Sequence, residues 1–168
     1  MSAPSSQIFA TASQFATGMR KLAASVTVIT TIHEGTRYGL TASAVTSLSA
    51  KPPSLLACVN ESATANPIIR SSGIFCVNIL ASTQADISNA FASADVADRF
   101  EYGDWECAPS GAPRLTGAAA SFDCQLMDAL PGFSHTVFIG LITDITTSKA
   151  NSLLYADGEY GHFQLPSL

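Results

Sequence analysis

The chain has 168 residues, enough for one domain with a single sizeable hydrophobic core. Its net charge of −5 and its lack of a lysine and arginine cluster argue against nucleic-acid binding, and no apolar run approaches the ~20 residues that a membrane helix needs. Hydrophobic residues make up 47% of the chain and charged residues only 12%, which predicts that apolar surface is buried in a homodimer.

The N-terminal part of the chain predicts a short lead-in followed by a helix. Residues 1–8 are expected to be disordered ahead of a single domain at 9–168. The chain starts without a basic or apolar stretch typical of a signal peptide, so the cytoplasm is the expected location. Apolar residues then recur at alternating intervals of four and three, which predicts one helical stripe ending near Ala24. The stripe is formed by Ile8, Ala12, Phe15, Met19 and Leu22.

Two strands and a tight turn are predicted next. The stretch Ser25–Ile32 is rich in valine, isoleucine and threonine, as strands are. A polar turn containing Gly35 follows, and it predicts a hairpin into the segment 38–47. Pro52–Pro53 can neither donate to a strand ladder nor continue a helix, so the chain is expected to bend there before another strand at 54–59.

The segment Gly39–Ser49, which we call the small-residue segment, is dominated by small and hydroxyl-bearing side chains. Such side chains are too short to cover the backbone. A flat polar heterocycle could therefore lie against the N–H and C=O groups, while serine and threonine hydroxyls bind a ribityl chain or a phosphate. The alternative is a Ser/Thr-rich strand and turn in an ordinary β domain, because the segment obeys no strict spacing rule.

A second candidate site lies where a strand is expected to run into a helix. Asn66 and Pro67 predict the helix start, because asparagine caps helices and proline fits the first turn, and Gly73 predicts the helix end. Free N–H groups and the helix dipole favour an anion at such a start, and Ser62 and Thr64 add hydroxyl donors. These residues either bind a phosphate or only cap the helix.

The second half of the chain predicts further strands with one or two helices. The expected elements are a buried strand at 74–80, a helix from Ser82 to about Phe91, a helical turn within Asp95–Phe100, a loop at Gly103–Pro113, strands at 118–128 and 135–145, and a hairpin around Asp157–Gly158. Many short strands with few helices predict a mainly β chain in a closed or partly closed antiparallel barrel. No G-x-G-x-x-G motif follows a strand, so a Rossmann layout is disfavoured.

Cysteine and histidine spacing gives no sign of a metal site or of a disulfide framework. The four cysteines are widely spaced and form no C-x-x-C pair, so buried free thiols are expected rather than disulfides or metal ligands. No two of the three histidines have metal-ligand spacing, so no metal is expected. These residues are Cys58, Cys76, Cys107 and Cys124, with His33, His135 and His162.

Four segments in chain order resemble the short-chain flavin reductases, the small components of two-component flavin monooxygenases. The segments are Phe15–Met19 with Ala24–Thr31, Gly39–Asn60, Gly73–Leu80 and Gly132–Gly140. The third carries the family's G-x-F-x-V-N-x-L pattern. The fourth resembles its G-D-H-x-x-F-x-G pattern, with Ser134 in place of the usual aspartate. Together the segments extend over nearly the whole chain.

The resemblance implies an antiparallel Greek-key split barrel, the FMN-binding fold of the flavin reductases, with FAD or FMN as the bound flavin. The residues implied to line the isoalloxazine ring and the ribityl chain are Thr41, Ala42, Ser43, Ala44, Val45, Ser47 and Leu48. The residues implied to hold the phosphate end are Ser62, Ala63 and Thr64. Arg99 could meet a flavin phosphate or an ADP moiety, and a surface ion pair is the alternative.

For the nicotinamide dinucleotide, the resemblance points to His135 and to the C-terminal hairpin. His135 matches the family histidine beside flavin and nicotinamide. It is expected to orient the nicotinamide rather than to take up the hydride, and the alternative is a partly exposed strand-end histidine. Tyr155, Gly158 and Tyr160 are the candidate hairpin contacts. Asp157 stands where the family has arginine and would repel a 2′-phosphate, which favours NADH over NADPH.

The implied activity is that of an NAD(P)H:flavin oxidoreductase, in which hydride passes from the nicotinamide to FAD or FMN. The reduced flavin would then serve a separate monooxygenase that hydroxylates an aromatic compound. The main alternative is a non-enzymatic flavin- or haem-binding split-barrel protein. An oxidase of the pyridoxamine-phosphate type lacks its expected arginine and lysine cluster here, and a serine hydrolase lacks its G-x-S-x-G motif.

Overall fold

The structure, a computed structural model, describes residues 9–93 and 98–164 and consists mainly of antiparallel strands. The helices in these residues are α1 (Ala12–Met19), α2 (Ala65–Ser72), α3 (Ala85–Ala92) and a 3₁₀ turn at Arg99–Glu101. The strands are β1 (Ala24–Ser25), β2 (Thr27–His33), β3 (Thr36–Ala42), β4 (Val45–Ala50), β5 (Pro53–Asn60), β6 (Ile74–Ile79), β7 (Trp105–Cys107), β8 (Pro113–Leu115), β9 (Ala120–Gly132), β10 (His135–Thr147), β11 (Leu154–Ala156) and β12 (Glu159–Gly161). Over the described ranges, every helix is too short or too polar to span a membrane.

The main sheet contains seven antiparallel strands in the order β3-β2-β6-β9-β10-β5-β4. Its two edge strands follow one another in the chain, since β3 ends at Ala42 and β4 begins at Val45. Three consecutive peptide links span at most about 11 Å. The two edges must therefore approach each other at this end, and the sheet curls into a split barrel. The prediction of a mainly β, antiparallel split barrel is confirmed.

The hydrophobic core lies in two clusters. One fills the barrel between the strands of the main sheet and consists of Ile29, Leu55, Ala57, Val59, Ile69, Phe75, Val77, Cys124 and Phe138. The other lies under α3 and consists of Val26, Val28, Leu80, Ile87, Ala90, Phe91, Leu115, Ala118 and Leu153. Burial of this apolar area is the main favourable term in folding.

Asn78 is the centre of a polar network inside the sheet. Its side chain is fully buried on β6. Its Nδ2 donates to the carbonyl of Val28 at 3.1 Å and to Oγ1 of Thr30 at 3.3 Å. Its Oδ1 accepts from the backbone N–H of Leu115 and from Oγ of Ser121, both at 2.9 Å. One side chain thereby ties β2, β6, β8 and β9 together.

The helix ends differ from those that the sequence predicted. α2 begins at Ala65, and Asn66 does not cap it. The buried Asn66 side chain donates instead to the carbonyls of Val59 and Asn60 at the end of β5, at 3.1 and 3.3 Å, because a buried amide group must be hydrogen-bonded and these carbonyls lie within its reach. The predicted end of this helix is confirmed, since Gly73 has a left-handed φ of +71°.

The other two helices are shorter than predicted. α1 ends at Met19 rather than near Ala24, because Ala24 and Ser25 form β1 and pair with β11. α3 begins at Ala85 rather than directly after Ser82, whose N–H donates to the Asn151 carbonyl at 2.7 Å. In both places a partner more than sixty positions away in the chain holds the backbone outside the helix.

The predicted loop at Gly103–Pro113 contains a strand instead, since β7 pairs with β8. The Trp105 ring lies 5.3 Å from the Phe91 ring and 5.1 Å from the Phe100 ring, measured between centroids. This aromatic packing holds the short strands β7 and β8, of three residues each, in place. The packing depends on residues that are distant in the chain, so the local sequence does not predict it. Of the predicted helical turn at Asp95–Phe100, residues 95–97 lie outside the described residues, and a 3₁₀ turn begins at Arg99.

The cysteines are free thiols, as predicted, but only two of them are buried. Burial raises the pKa of Cys76 to about 12, and it also raises the pKa of Cys124, so both stay protonated and unreactive at neutral pH. Cys58 is half-buried. Cys107 is exposed, which differs from the prediction, because it lies on β7 outside the main sheet.

Candidate functional site

A cavity of about 660 Å³ opens beside β4 and β5. Its size is that of a pocket for a cofactor or small molecule. The lining residues come from the end of α1 through β2, from the β3–β4 link with β4, from β5, and from three further strands. They are Leu22, Ala23, Ala24, Ser25, Thr27, Ser43, Ala44, Val45, Thr46, Ser47, Ser54, Leu55, Leu56, Cys58, Ile79, Phe122 and Ile142. The lining is mainly small or apolar, with a few hydroxyls.

The structure places the middle of the small-residue segment on this cavity. Four of the predicted flavin-contacting residues line it: Ser43, Ala44, Val45 and Ser47. β4 is the last strand of the main sheet in the described residues, so its outer row of N–H and C=O groups is free of the ladder. A planar ligand in the cavity can therefore bond directly to backbone.

The other three predicted residues of this segment lie outside the cavity lining. Thr41 donates from Oγ1 to the Ser88 carbonyl at 2.7 Å, and the Ala42 carbonyl accepts from Oγ1 of Thr27 at 2.7 Å. Leu48 falls at a register shift, since Ser47 pairs with Leu55 and Ser49 with Ser54. Such a bulge changes the direction in which a side chain points. The regular alternation of side chains along a strand therefore does not predict on which face Leu48 lies.

The sequence missed the wall of the cavity formed by residues 22–25. The apolar spacing assigned residues 22–24 to the end of α1, and Ser25 was predicted to begin a strand, whereas residues 22 and 23 follow the helix without regular structure and Ala24–Ser25 form β1. β1 is held by β11, with Ala24 opposite Tyr155 and Ser25 opposite Leu154. Only the pairing of two distant segments creates this wall, so no local signal was available to find it.

A polar turn at Asn60–Thr64, the hydroxyl turn, lies between β5 and α2. Oδ1 of Asn60 accepts from both the N–H and Oγ of Ser62, each at 2.9 Å. Ser62 and Thr64 are exposed, and Thr64 takes the cap position of α2 without a side-chain cap bond. The hydroxyls therefore face solvent beside a helix start, a place suited to an anionic group.

His135 begins β10 and lies next to the hydroxyl turn. It pairs with Asn60 on one side and with Gly132 on the other. The backbone N–H of Glu61 donates to the Ser134 carbonyl at 3.0 Å, which fastens the two turns together. Oγ of Ser134 lies 2.9 Å from Nδ1 of His135, so Nε2 is the ring nitrogen left to face a ligand. The imidazole is half-buried.

The sheet connects His135 with the cavity. Cys58 lines the cavity and lies two positions before Asn60 on β5, a distance of about 7 Å along a strand. The Cys58 N–H donates to the Ala44 carbonyl at 2.9 Å. The small-residue segment, the hydroxyl turn and His135 thus lie on or next to the neighbouring strands β4, β5 and β10, and Cys58 on β5 connects this region with the cavity lining.

The C-terminal hairpin, β11 with β12, flanks the outer side of the cavity wall. Tyr155 and Tyr160 face each other across it with ring centroids 5.5 Å apart. Nζ of Lys21 contacts Oδ2 of Asp157 at 2.6 Å, and this hydrogen bond lowers the pKa of the exposed Asp157 carboxyl. Gly158 completes the turn with a φ of +92°.

Arg99 is engaged by backbone. Its Nη1 donates to the Gly39 carbonyl at 3.0 Å and its Nη2 to the Ser93 carbonyl at 2.8 Å. The guanidinium thus joins β3 to the end of α3 and leaves the cavity mouth to other residues. Neither bond involves a charged partner.

Residues 19–164 match a family model described as a flavin reductase like domain. The chain is 40% identical over 148 residues to the FMN reductase (NADH) RutF of Acinetobacter baylyi, covering 87% of this chain and 79% of the relative. It is 38% identical over 144 residues to the FMN reductase (NADH) RutF of Stutzerimonas stutzeri, covering 84% of this chain and 83% of the relative.

Solved structures agree with these matches. The flavin reductase PheA2 has a TM-score of 0.85 and 32% identity, over 93% of this chain and 100% of its own. A homologue of nitrilotriacetate monooxygenase component B from Mycobacterium thermoresistibile has a TM-score of 0.86 and 31% identity, over 93% and 90%. The NADH:FAD oxidoreductase SgcE6 of Streptomyces globisporus, in complex with NAD and FAD fragments, has a TM-score of 0.87 and 28% identity, over 92% and 94%.

Proposed function

The chain belongs to the flavin reductase like domain family, and we propose that it is an NADH-dependent oxidoreductase that transfers hydride to FMN or FAD. The observation that carries the proposal is the cavity beside β4, which is lined by the exposed hydroxyl residues Ser43 and Ser47 and lies along the free backbone edge of that strand. The relatives named FMN reductase (NADH) support NADH and FMN, and the structure named NADH:FAD oxidoreductase supports FAD as a second flavin. Residues 9–168 are proposed to form the single domain that carries this activity.

The residues of the cavity fit a flavin. The N–H and C=O groups of Val45 and Ser47 on the free edge of β4 can bond the polar rim of the isoalloxazine, and the apolar walls cover its faces. Ser62 and Thr64 of the hydroxyl turn are proposed to bind the phosphate end, because they lie close to the positive end of α2. A bound flavin supplies the electron-accepting chemistry, with NADH as the hydride donor. The protein itself positions the two rings and excludes water.

The C-terminal hairpin favours NADH over NADPH. Asp157 and Glu159 flank the turn glycine and would repel a 2′-phosphate. Lys21 compensates part of this charge through its contact with Asp157, and both side chains are exposed. The expected preference in kcat/KM is therefore modest, about fivefold, in the range of a solvent-exposed ion pair.

The reduced flavin is proposed to leave the cavity and to serve a separate monooxygenase in the cytoplasm. The structure named for a monooxygenase component supports a two-protein system of this kind. The resemblance described above suggests hydroxylation of an aromatic compound. In this arrangement the flavin is a substrate as much as a cofactor.

The test of the proposed function is the loss of absorbance at 340 nm when purified protein is mixed with NADH or NADPH and with FMN or FAD. Turnover with NADH and at least one flavin is expected. No turnover in any of the four combinations would leave a non-enzymatic flavin- or haem-binding protein, and flavin and haem titrations followed by absorbance would separate these two.

His135→Ala is expected to lower kcat about fivefold while the Kd for flavin stays within about twofold, because a lost orienting hydrogen bond costs about 1 kcal/mol. Stopped-flow hydride transfer and flavin titration measure the two effects. His33→Ala, in the β2–β3 hairpin away from the cavity lining, is the control and should change neither. Equal loss of turnover and flavin affinity would contradict an orienting role for His135.

A homodimer is proposed from the outer face of α1. None of the residues of this helix is buried, and Phe15 and Met19 are 65% and 47% exposed. A helix of eight residues is marginal alone, so a second copy that covers this stripe would stabilise it. Sedimentation velocity is expected to give a dimer, and Phe15→Asp with Met19→Asp a monomer. Ser13→Asp on another face of α1 is the control. A wild-type monomer at micromolar concentration would exclude the dimer.

A further inference from the structure

The cavity beside β4 and β5 has two chemically different sides. Of the residues that line it, those contributed by β6, β9 and β10 are all large and apolar, and Leu55 on the neighbouring β5 adjoins them. We call these four residues the apolar floor: Leu55, Ile79, Phe122 and Ile142. Leu55 belongs to the barrel core and is 4% exposed, and Phe122 and Ile142 pack against the same core cluster. The apolar floor is therefore the part of the lining nearest the centre of the barrel.

The side of the cavity formed by β4 and the β3–β4 link is polar and open. It carries the hydroxyls of Ser43, Thr46 and Ser47, and all three residues are exposed. Over the described residues, these three hydroxyls have no hydrogen-bond partner within the protein. Two other hydroxyls of the lining differ from them, because Thr27 and Ser54 donate to backbone carbonyls. The hydroxyls on the β4 side are thus available to a ligand.

The polar and apolar sides meet between β4 and β5, where Ser47 lies directly opposite Leu55. Neighbouring strands of a sheet lie about 4.8 Å apart, so β10 lies about 10 Å from β4 along the sheet, and β9 lies about 14 Å from it. The lining therefore changes from polar to apolar over a distance comparable with the length of a planar system of three fused rings.

The isoalloxazine ring system of a flavin has the same asymmetry along its length. One end is a pyrimidine ring with two carbonyls and an N–H group, and the other end is a benzene ring with methyl groups at C7 and C8. A polar group that is buried without a partner costs free energy, whereas a methyl group gains free energy when it leaves water. One orientation of the ring system meets both requirements, and the reverse orientation meets neither.

We propose that the flavin binds with its dimethylbenzene end on the apolar floor and its pyrimidine end against β4. This inference rests on the proposed function and specifies the direction in which the flavin enters the cavity. The two methyl groups contact the floor around Ile142, and the pyrimidine carbonyls and N–H group face the hydroxyls and the free backbone edge of β4. The apolar floor thereby recognises the methyl groups of the flavin.

The test compares FMN with 7,8-didemethyl-FMN, which lacks only the two methyl groups, in fluorescence titrations. The wild-type protein should bind the analogue about tenfold more weakly, because two methyl groups lose their apolar contact. Ile142→Ala should raise the Kd for FMN about fivefold and the Kd for the analogue by no more than about twofold, since the analogue has no methyl group for the longer side chain to contact. The comparison in the wild-type protein involves no substitution and is free of any effect on folding.

Ile139→Ala is the matched control, because Ile139 is also half-buried on β10 but does not line the cavity. It should change neither Kd. Ser47→Ala, on the polar side, should raise both Kd values by the same factor. If Ser47→Ala instead weakens FMN but not the analogue, the methyl groups lie against β4. The flavin would then bind in the reverse orientation, and the inference would be overturned.

The remaining outcomes separate this inference from the proposed function. If the wild-type protein oxidises NADH with FMN but binds the two flavins equally well, the inference is wrong and the proposed function stands. Equal weakening of both flavins by Ile142→Ala also contradicts the inference, because the methyl groups would then lie away from this side chain. A wild-type protein that neither binds FMN nor oxidises NADH would overturn the proposed function, and the inference with it.

Discussion

Ser47→Trp is expected to abolish flavin reduction by filling the cavity. Ser47 lines the cavity from β4, the strand whose free edge is proposed to bond the isoalloxazine rim. An indole at this position occupies the volume that the flavin needs, and overpacking of a filled site costs about 1–3 kcal/mol. The Kd for flavin should rise on the order of 100-fold, with a parallel loss of NADH oxidation. Flavin fluorescence titration measures the first effect, and absorbance at 340 nm measures the second.

The matched control is Ala50→Trp. Ala50 lies on the same edge strand and is exposed, but it does not line the cavity. It should bind flavin like wild type. Normal flavin affinity of Ser47→Trp would show that the flavin binds elsewhere, and equal losses in both variants would show that any large side chain on β4 disturbs the sheet.

Asn78→Leu is expected to destabilise the fold by roughly 4 kcal/mol. The substitution conserves the side-chain size but removes four buried hydrogen bonds, and it leaves the Leu115 N–H and the Val28 carbonyl without their side-chain partner. Each buried polar group left unsatisfied costs about 1–3 kcal/mol, partly relieved by relaxation. Urea unfolding followed by circular dichroism measures the loss as a lower midpoint with an unchanged slope.

Ser121→Ala is the control for this network. It removes only the 2.9 Å bond from Ser121 to Oδ1 of Asn78, and it should cost about 1 kcal/mol. A loss of less than about 1 kcal/mol for Asn78→Leu would mean that the network is not a major source of stability. Comparison of the two variants separates the contribution of Asn78 to the free energy of unfolding from that of its partner Ser121.

The strands of the barrel were predictable because their signals are local. Ile74–Val77 form an apolar run, as a strand buried on both faces requires, and β6 is buried at four of its six positions. Asp157–Gly158 predicted the last hairpin, and both residues have the positive φ that such a turn needs. The hairpin at Glu34–Gly35 was predictable for the same reason.

Elements that depend on distant partners were predicted less well. The apolar spacing continues through Leu22 and therefore extended α1 too far, although the chain leaves the helix to reach β11. Asn66 has the propensity of a cap, but the carbonyls at the end of β5 take its side chain. β7 is held in place by the packing of Trp105 on Phe91. These two residues are far apart in the chain, so a prediction from neighbouring residues does not include their contact.

The candidate site divides in the same way. Short side chains at Ser43–Ser47 are visible in the sequence, and the structure places them on the cavity. The bulge at Leu48 and the wall at residues 22–25 depend on pairing between strands, which no spacing rule encodes. The hydroxyl turn was predictable as a strand-to-helix junction, but its approach to His135 follows only from the register of β5 and β10.

The pairing of β1 with β11 also decides when the pocket comes into existence. Ala24 emerges early from the ribosome, whereas its partner Tyr155 is synthesised near the end of the chain. A nascent polypeptide can fold much of the seven-stranded sheet before that moment, but one side of the cavity is still missing. The nascent chain should therefore become able to bind flavin only late in its synthesis. Flavin binding would then indicate that β11 has paired with β1, and not merely that the hydrophobic core has formed.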